Sequence, residues 1–173
     1  MDLLEIMLKR RSLRKYKDEE IPKEKLNKIL QAGLLAPTSR NRKPCSFLIV
    51  DKKEVLEKLS ESKQSSSKFL KNANKAIVVV ANTLVSDTWI EDSSIALAFM
   101  HLMATEQYIG SCWVQIHLRK SKSNESSEDY VRKVLGIDDY FRIVGILALG
   151  VPFHEVQAHK IEDIDKEKVH YLR

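Results

Sequence analysis

Glycine and cysteine are both scarce in this chain of 173 residues, with five of the first and two of the second. No glycines stand in a Gly-x-Gly-x-x-Gly run after the first predicted strand, and no Walker loop occurs. A Rossmann dinucleotide fold and a P-loop enzyme are therefore disfavoured. Cys45 and Cys112 are too few for a disulfide framework. Asp2 and Glu5 interrupt the first apolar run, so no secretory h-region is read there. Free thiols and a cytoplasmic location are expected. The apolar runs stop well short of the ~18 residues a membrane span needs. No zinc-ligand spacing, basic zipper or aromatic RNA-binding motif is present, so neither a metal nor a nucleic acid is expected as a partner. No internal repeat and no second domain are evident.

Charge is unevenly spread. Residues 1–50 carry 12 Lys/Arg against 6 Asp/Glu, and the rest of the chain carries 17 against 18. The whole basic excess lies in the first third, which suits a local anionic ligand. Its densest part is Arg10-Arg11-Ser12-Leu13-Arg14-Lys15-Tyr16. A planar guanidinium fork matches phosphate oxygens better than the point charge of lysine, and Ser12 adds a short donor. The chemistry points to a phosphate ester. A basic run at a helix end is also what a solvated face near the negative end of the dipole looks like.

Taken in order, residues 2–10 read as a short helix with Leu3, Leu4, Met7 and Leu8 on its apolar face. Leu26, Ile29, Leu30, Gly33 and Leu34 give helical spacing from about 22 to 35, and Pro37 stops it. The stretch from Ala36 to Cys45 holds two prolines and many donors, and leads into a predicted buried strand at 45–50. Such a loop is a rigidly mounted binding loop or an ordinary connection. Residues 52–60 and 65–72 read as surface helices, with a mobile break at 63–67. Strands are predicted at 76–81, 111–116 and 143–150. Residues 89–109 form the longest helix, apolar nearly all round and so central or at a subunit interface. His101 within it reads as a core or interface histidine with satisfied hydrogen bonds. Residues 119–127 read as a polar loop or lid, and the tail 153–173 as a segment lying along a partner. The fold class is α+β, a small mixed sheet covered by helices.

Three features now combine: the Arg-Arg-Ser stretch, the Pro37-Thr38-Ser39-Arg40-Asn41 loop before the first strand, and Gly110-Ser111-Cys112-Trp113 after the long helix. With Leu149-Gly150-Val151-Pro152 they occur in an order that resembles the FMN-dependent nitroreductase family and spans nearly the whole chain. The resemblance implies one flavin-binding domain over residues 1–173, with a largely antiparallel sheet and an intertwined homodimer carrying its sites at the interface. Arg10, Arg11, Ser12 and Arg14 match positions that hold the FMN phosphate and nearby ring atoms. Pro37, Thr38, Ser39 and Asn41 match a loop that the other subunit lays against the flavin. Gly110 and Ser111 match a turn close to the isoalloxazine. Lys160, with His159 behind it, matches a further cation near the C-terminus.

The implied activity is transfer of a hydride from NAD(P)H via flavin N5 to an electron-poor acceptor, a nitroaromatic or quinone, by a ping-pong mechanism. The cofactor carries the chemistry, so no catalytic side chain is expected. Arg14 or Lys15 would stand near the N1–O2 edge of the ring. A non-enzymatic FMN-binding protein on the same fold is the alternative. Two departures from the family pattern bear on the substrate: Lys43-Pro44-Cys45 stands where many relatives have Gln-Pro-Trp, and Asp138-Asp139-Tyr140-Phe141 stands where some larger relatives carry a Glu-Gly flavin contact.

Overall fold

Continuous β-branched and aliphatic runs build the centre of this protein. The computed structural model describes residues 2–172. Helix α1 spans Leu3–Lys9 and α2 Lys23–Leu34. Strand β1 (Cys45–Val50) leads to α3 (Lys53–Leu59), and β2 (Lys75–Asn82) leads to α4 (Trp89–Glu106). Then come β3 (Gly110–Gln115), α5 (Ser127–Leu135) and β4 (Phe141–Gly150). The four strands form one sheet in the order β1-β2-β4-β3, with every neighbouring pair antiparallel. The expected parallel component is reduced to a bridge between Ser12 and Ser111, where the basic stretch lies along the outer edge of β3.

Side chains alternate across the pleat and bury both faces. Ala76, Val78 and Val80 of β2 enter one core with Leu56, Leu59, Leu70 and Val131. Ile77 and Val79 enter the other with Ile29, Leu97, Met100 and Ala104. Helices α2 and α4 thus cover one face, and α3 with α5 the other. A bulge between Val79 and Val80 lets Ile143 and Ile146 of β4 share a core despite unlike parity.

Three expectations are corrected, and the apolar face of α1 proves to be left open. Strand β1 is an edge strand rather than a fully buried one, with Ser46 and Ile49 exposed. The apolar face of α1 does not enter the core of the protomer. Ile6 is its buried residue, while Leu3, Leu4 and Met7 are 61%, 47% and 46% exposed. Residues 119–127 are fastened rather than free. Lys120 bridges Ser126, Ser121 is fully buried, and Lys122 pairs with Glu61 at 2.8 Å. The break at 63–67 is anchored too, because the buried Ser67 hydroxyl donates to Ser60 O at 2.7 Å.

Candidate functional site

Helix α1 ends at Arg10, which adopts an extended conformation while its N–H still donates to Ile6 O. From there the chain runs extended beside β3, where Leu13 N donates to Ser111 O at 2.9 Å. Tyr16 closes the stretch. Its hydroxyl donates to Leu13 O at 2.6 Å, and its ring lies over the paired glycines Gly110 and Gly150. A Cβ at Gly150 would come within 2.4 Å of Tyr16 Cγ, so only glycine lets the ring seat there. Burial pushes the Tyr16 phenol far above its ordinary range, so it acts as a neutral wedge.

The three arginines of this stretch do not meet carboxylates. Arg10 donates to His101 Nε2 at 3.2 Å, and Arg11 donates to Gln157 O. The Arg14 guanidinium stands 5.8 Å over the Phe69 ring. Among the described residues none of the three has an ion-pair partner. Three like charges within five residues repel, and they keep their spare donors free for an anion. His101 in turn bonds Ser111 Oγ through Nδ1 at 2.5 Å. Burial, then the Arg10 charge, lowers the imidazole from 6.5 to about 4.

The C-terminal segment returns to the same place. His159 N donates to Leu8 O at 2.8 Å, and Phe153 N to Lys15 O at 3.2 Å. Lys160 begins the next short turn, where its N–H donates to Asp163 Oδ2 at 2.8 Å. The backbone at 157–160 therefore lies beside the end of α1. Arg10, Arg11, Ser12, Arg14, Gly110 and Ser111 are brought together, with Lys160 at their margin.

Pro37, Thr38, Ser39 and Asn41 are not brought to this cluster within the protomer. Their loop is bound to the first turn of α4, where Asp92 Oδ1 accepts from Ser39 N at 2.9 Å. His101 lies nine residues further on, about 13 Å along the axis. Asp92 is 2% exposed and also accepts from the hydroxyls of Ser86 at 3.0 Å and Thr88 at 3.3 Å. Thr38 Oγ1 accepts from Lys43 N at 3.0 Å. These bonds hold Arg40, Asn41 and Lys43 at φ of 50°, 55° and 50°. Left-handed backbone at two non-Asx residues costs of order 1 kcal/mol or more each. The loop is a tensioned, outward-facing structure rather than a slack connection.

Sequence spacing missed two cations. Burial and the Arg119 charge lower the Lys63 amine, and Cys112 raises it. The Arg14 and Arg10 charges pull the Cys112 thiol down, against burial, which pushes it up. Lys63 thus feels both Arg119 and the buried Cys112, and Cys112 feels Arg14 and Arg10. No local motif announces this, because these residues are far apart in the sequence. Burial raises the Cys112 thiol and the Cys45 thiol, and both are free cysteines. Among the described residues no group of three or more His, Cys, Asp or Glu is placed to hold a metal. No helix there is long and apolar enough to cross a membrane.

An antiparallel four-stranded sheet between two helical layers, with an arginine cluster on its edge that meets no carboxylate among the described residues, defines the class. The profile described as Nitroreductase family matches residues 7–87 and 60–151. A protein of Archaeoglobus fulgidus is 32% identical over 174 residues, covering 98% of this chain and 97% of that one. It carries the provisional name NADH dehydrogenase/NAD(P)H nitroreductase. A solved structure from Clostridium difficile R20291, described as an FMN-dependent nitroreductase, superposes with a TM-score of 0.95 at 41% identity, covering 98% and 99%. Another, from Parabacteroides distasonis, does so at 0.89 and 30% identity, covering 98% and 96%. This chain belongs to the nitroreductase family.

Proposed function

We infer that this chain, acting as a single domain over residues 1–173, is an FMN-dependent NAD(P)H oxidoreductase working as a homodimer. The observation that carries the reading is the arginine cluster: Arg10, Arg11 and Arg14 stand together without a carboxylate among the described residues. That donor set fits a phosphate monoester, whose charge of nearly two needs several charge-assisted hydrogen bonds to leave water. Arg10, Arg11, Ser12 and Arg14 would hold the phosphate end, with Lys160 at the rim. Gly110 and Ser111 would lie along the ring. Pro37, Thr38, Ser39 and Asn41, too far away in the same protomer, would come from a second copy.

When bound, FMN supplies hydride acceptance from NAD(P)H and delivery of reducing equivalents to an electron-poor acceptor such as a nitroaromatic or quinone. The chain's own residues bind and orient. Arg14, where the phosphate leaves it free, or Lys15 would add positive charge near the ring, which would favour a reduced, anionic cofactor. The strained loop of the second copy would exclude water from the other face. Nicotinamide and acceptor would use one pocket in turn, so initial-rate lines at several acceptor concentrations are expected to run parallel.

The test is the visible spectrum of the purified protein with and without added FMN. Yellow protein that bleaches anaerobically with NADH or NADPH supports the reading. Protein that takes up no FMN overturns it. Yellow protein that neither nucleotide bleaches overturns the nicotinamide step.

A further inference from the structure

His101 sits between two members of the cluster and belongs to neither the phosphate nor the ring contacts just assigned. It is 7% exposed and Ser111 is 1% exposed. Arginine carries only donors, so the 3.2 Å contact from Arg10 requires a lone pair on Nε2. A charged imidazole has none and would present N–H to N–H. The ring is therefore neutral, and its one proton lies on Nδ1. That proton is donated to Ser111 Oγ at 2.5 Å. Ser111 then uses its hydroxyl as acceptor toward His101, and its own proton is left for a different acceptor. No other hydrogen bond of this hydroxyl occurs among the described residues.

We propose that His101 is a positioning residue of the anion site: as the Nδ1–H tautomer it aims the Arg10 guanidinium through Nε2 and turns the Ser111 hydroxyl outward as a donor. This rests on the flavin reading above. The imidazole suits the task because it supplies an acceptor and a donor on opposite sides of one rigid ring. A carboxylate in its place would also hold Arg10, but it would neutralise the charge that the phosphate needs. A neutral acceptor fixes the fork and leaves the charge available. The low exposure and the adjacent Arg10 both keep the ring uncharged.

The arrangement is tested first on the flavin-free chain by long-range proton–nitrogen NMR of the five histidines, with His101 assigned by its loss in His101→Gln. An unprotonated Nε2 and a protonated Nδ1 at pH 7, persisting to pH 5, are expected. The opposite tautomer, or titration near pH 6.5, overturns the proposal. The consequence is tested by titrating FMN and riboflavin, which lacks the phosphate, into three proteins. His101→Leu is expected to weaken FMN about tenfold, the scale of one charge-assisted hydrogen bond, and to weaken riboflavin, which keeps only the Ser111 contact, by clearly less. His101→Gln, whose Oε1 can still accept from Arg10, should stay within about threefold of wild type. Equal weakening of both flavins, or equal loss in both variants, overturns the positioning role while the flavin reading stands. Failure of the wild-type chain to bind FMN overturns both.

Discussion

Three guanidiniums at the end of one short helix repel one another, and the fold answers with neutral acceptors: an imidazole, a carbonyl and an aromatic face. Stability is spent on keeping charge available, as binding sites for anions require. Replacing Arg10 with alanine is accordingly expected to weaken FMN by roughly tenfold or more while the fold persists. Fluorescence titration beside a thermal melt checks it, and unchanged affinity would remove Arg10 from the phosphate site. The neighbouring imidazole carries a pH signature. His101 is lowered from 6.5 to about 4, so the unfolded chain binds its proton first as pH falls. Its contribution is intact above pH 6.5 and is lost progressively between about 6.5 and 4, on the order of 3 kcal/mol in all. Urea midpoints across that range should fall more steeply for wild type than for His101→Leu.

At the scale of elements, α5 is fastened to the sheet through Glu128. This carboxylate is 4% exposed and accepts from Arg142 Nε at 2.7 Å and Ile143 N at 3.2 Å, with His117 Nδ1 at 2.7 Å. Burial pushes the carboxyl up, but the hydrogen bonds from Arg142, His117 and Ile143 outweigh it and hold it below the usual range. That stability is present above about pH 4.5 and fades as pH falls through the lowered value. Glu128→Gln should cost about 2 kcal/mol at neutral pH, less than a fully enclosed pair because Arg142 reaches solvent. Chemical denaturation measures it. Gly150→Ala should unseat Tyr16, since the new methyl would lie 2.4 Å from its ring. A loss of about 1–3 kcal/mol is expected, together with faster amide exchange at Leu13 and Lys17, whose N–H groups bond Ser111 O and Val151 O at 2.9 Å each.

The strands were legible because their apolar runs are continuous and bounded by turn residues, as at Ala76–Ala81. The long helix was legible for the same reason, with Gly110 three residues beyond its C-cap. What escaped were features that depend on who packs against whom. Leu3, Leu4 and Met7 have a helical stripe, yet a stripe does not say whether its partner is the same chain. Lys63 looked like an isolated loop cation, because its coupling to Arg119 and Cys112 joins residues from separate parts of the chain. The Arg-Arg-Ser stretch was legible from residue chemistry as a dense group of donors suited to an anion. The role of His101 was not, since its two partners lie 91 and 10 residues away.

For the whole molecule, one group of exposed apolar side chains falls on adjoining helices. Leu3, Leu4 and Met7 of α1, Leu34 with Leu35 after α2, and Ile90 and Phe99 of α4 are all at least 38% exposed. Helices α1 and α2 both contact α4, so these residues lie on adjoining elements, as expected of a surface covered by a second copy. Phe99→Glu is expected to yield monomers by analytical ultracentrifugation. Such monomers should also lose most FMN affinity if the 37–41 loop acts across the interface. Retained affinity in a monomer would separate the loop from the site.

The two ends of the chain meet at the cluster, through Arg11 to Gln157 O and His159 N to Leu8 O. The tail beyond Pro152 is mostly exposed, so those clasps are among its main ties to the body. A protease can therefore read the state of the site from outside. Any anion that tightens Arg11 and Lys160 slows opening of the tail by mass action, and clipping there should slow on loading while cleavage elsewhere does not. The far end of the polypeptide becomes a gauge of whether its beginning is occupied.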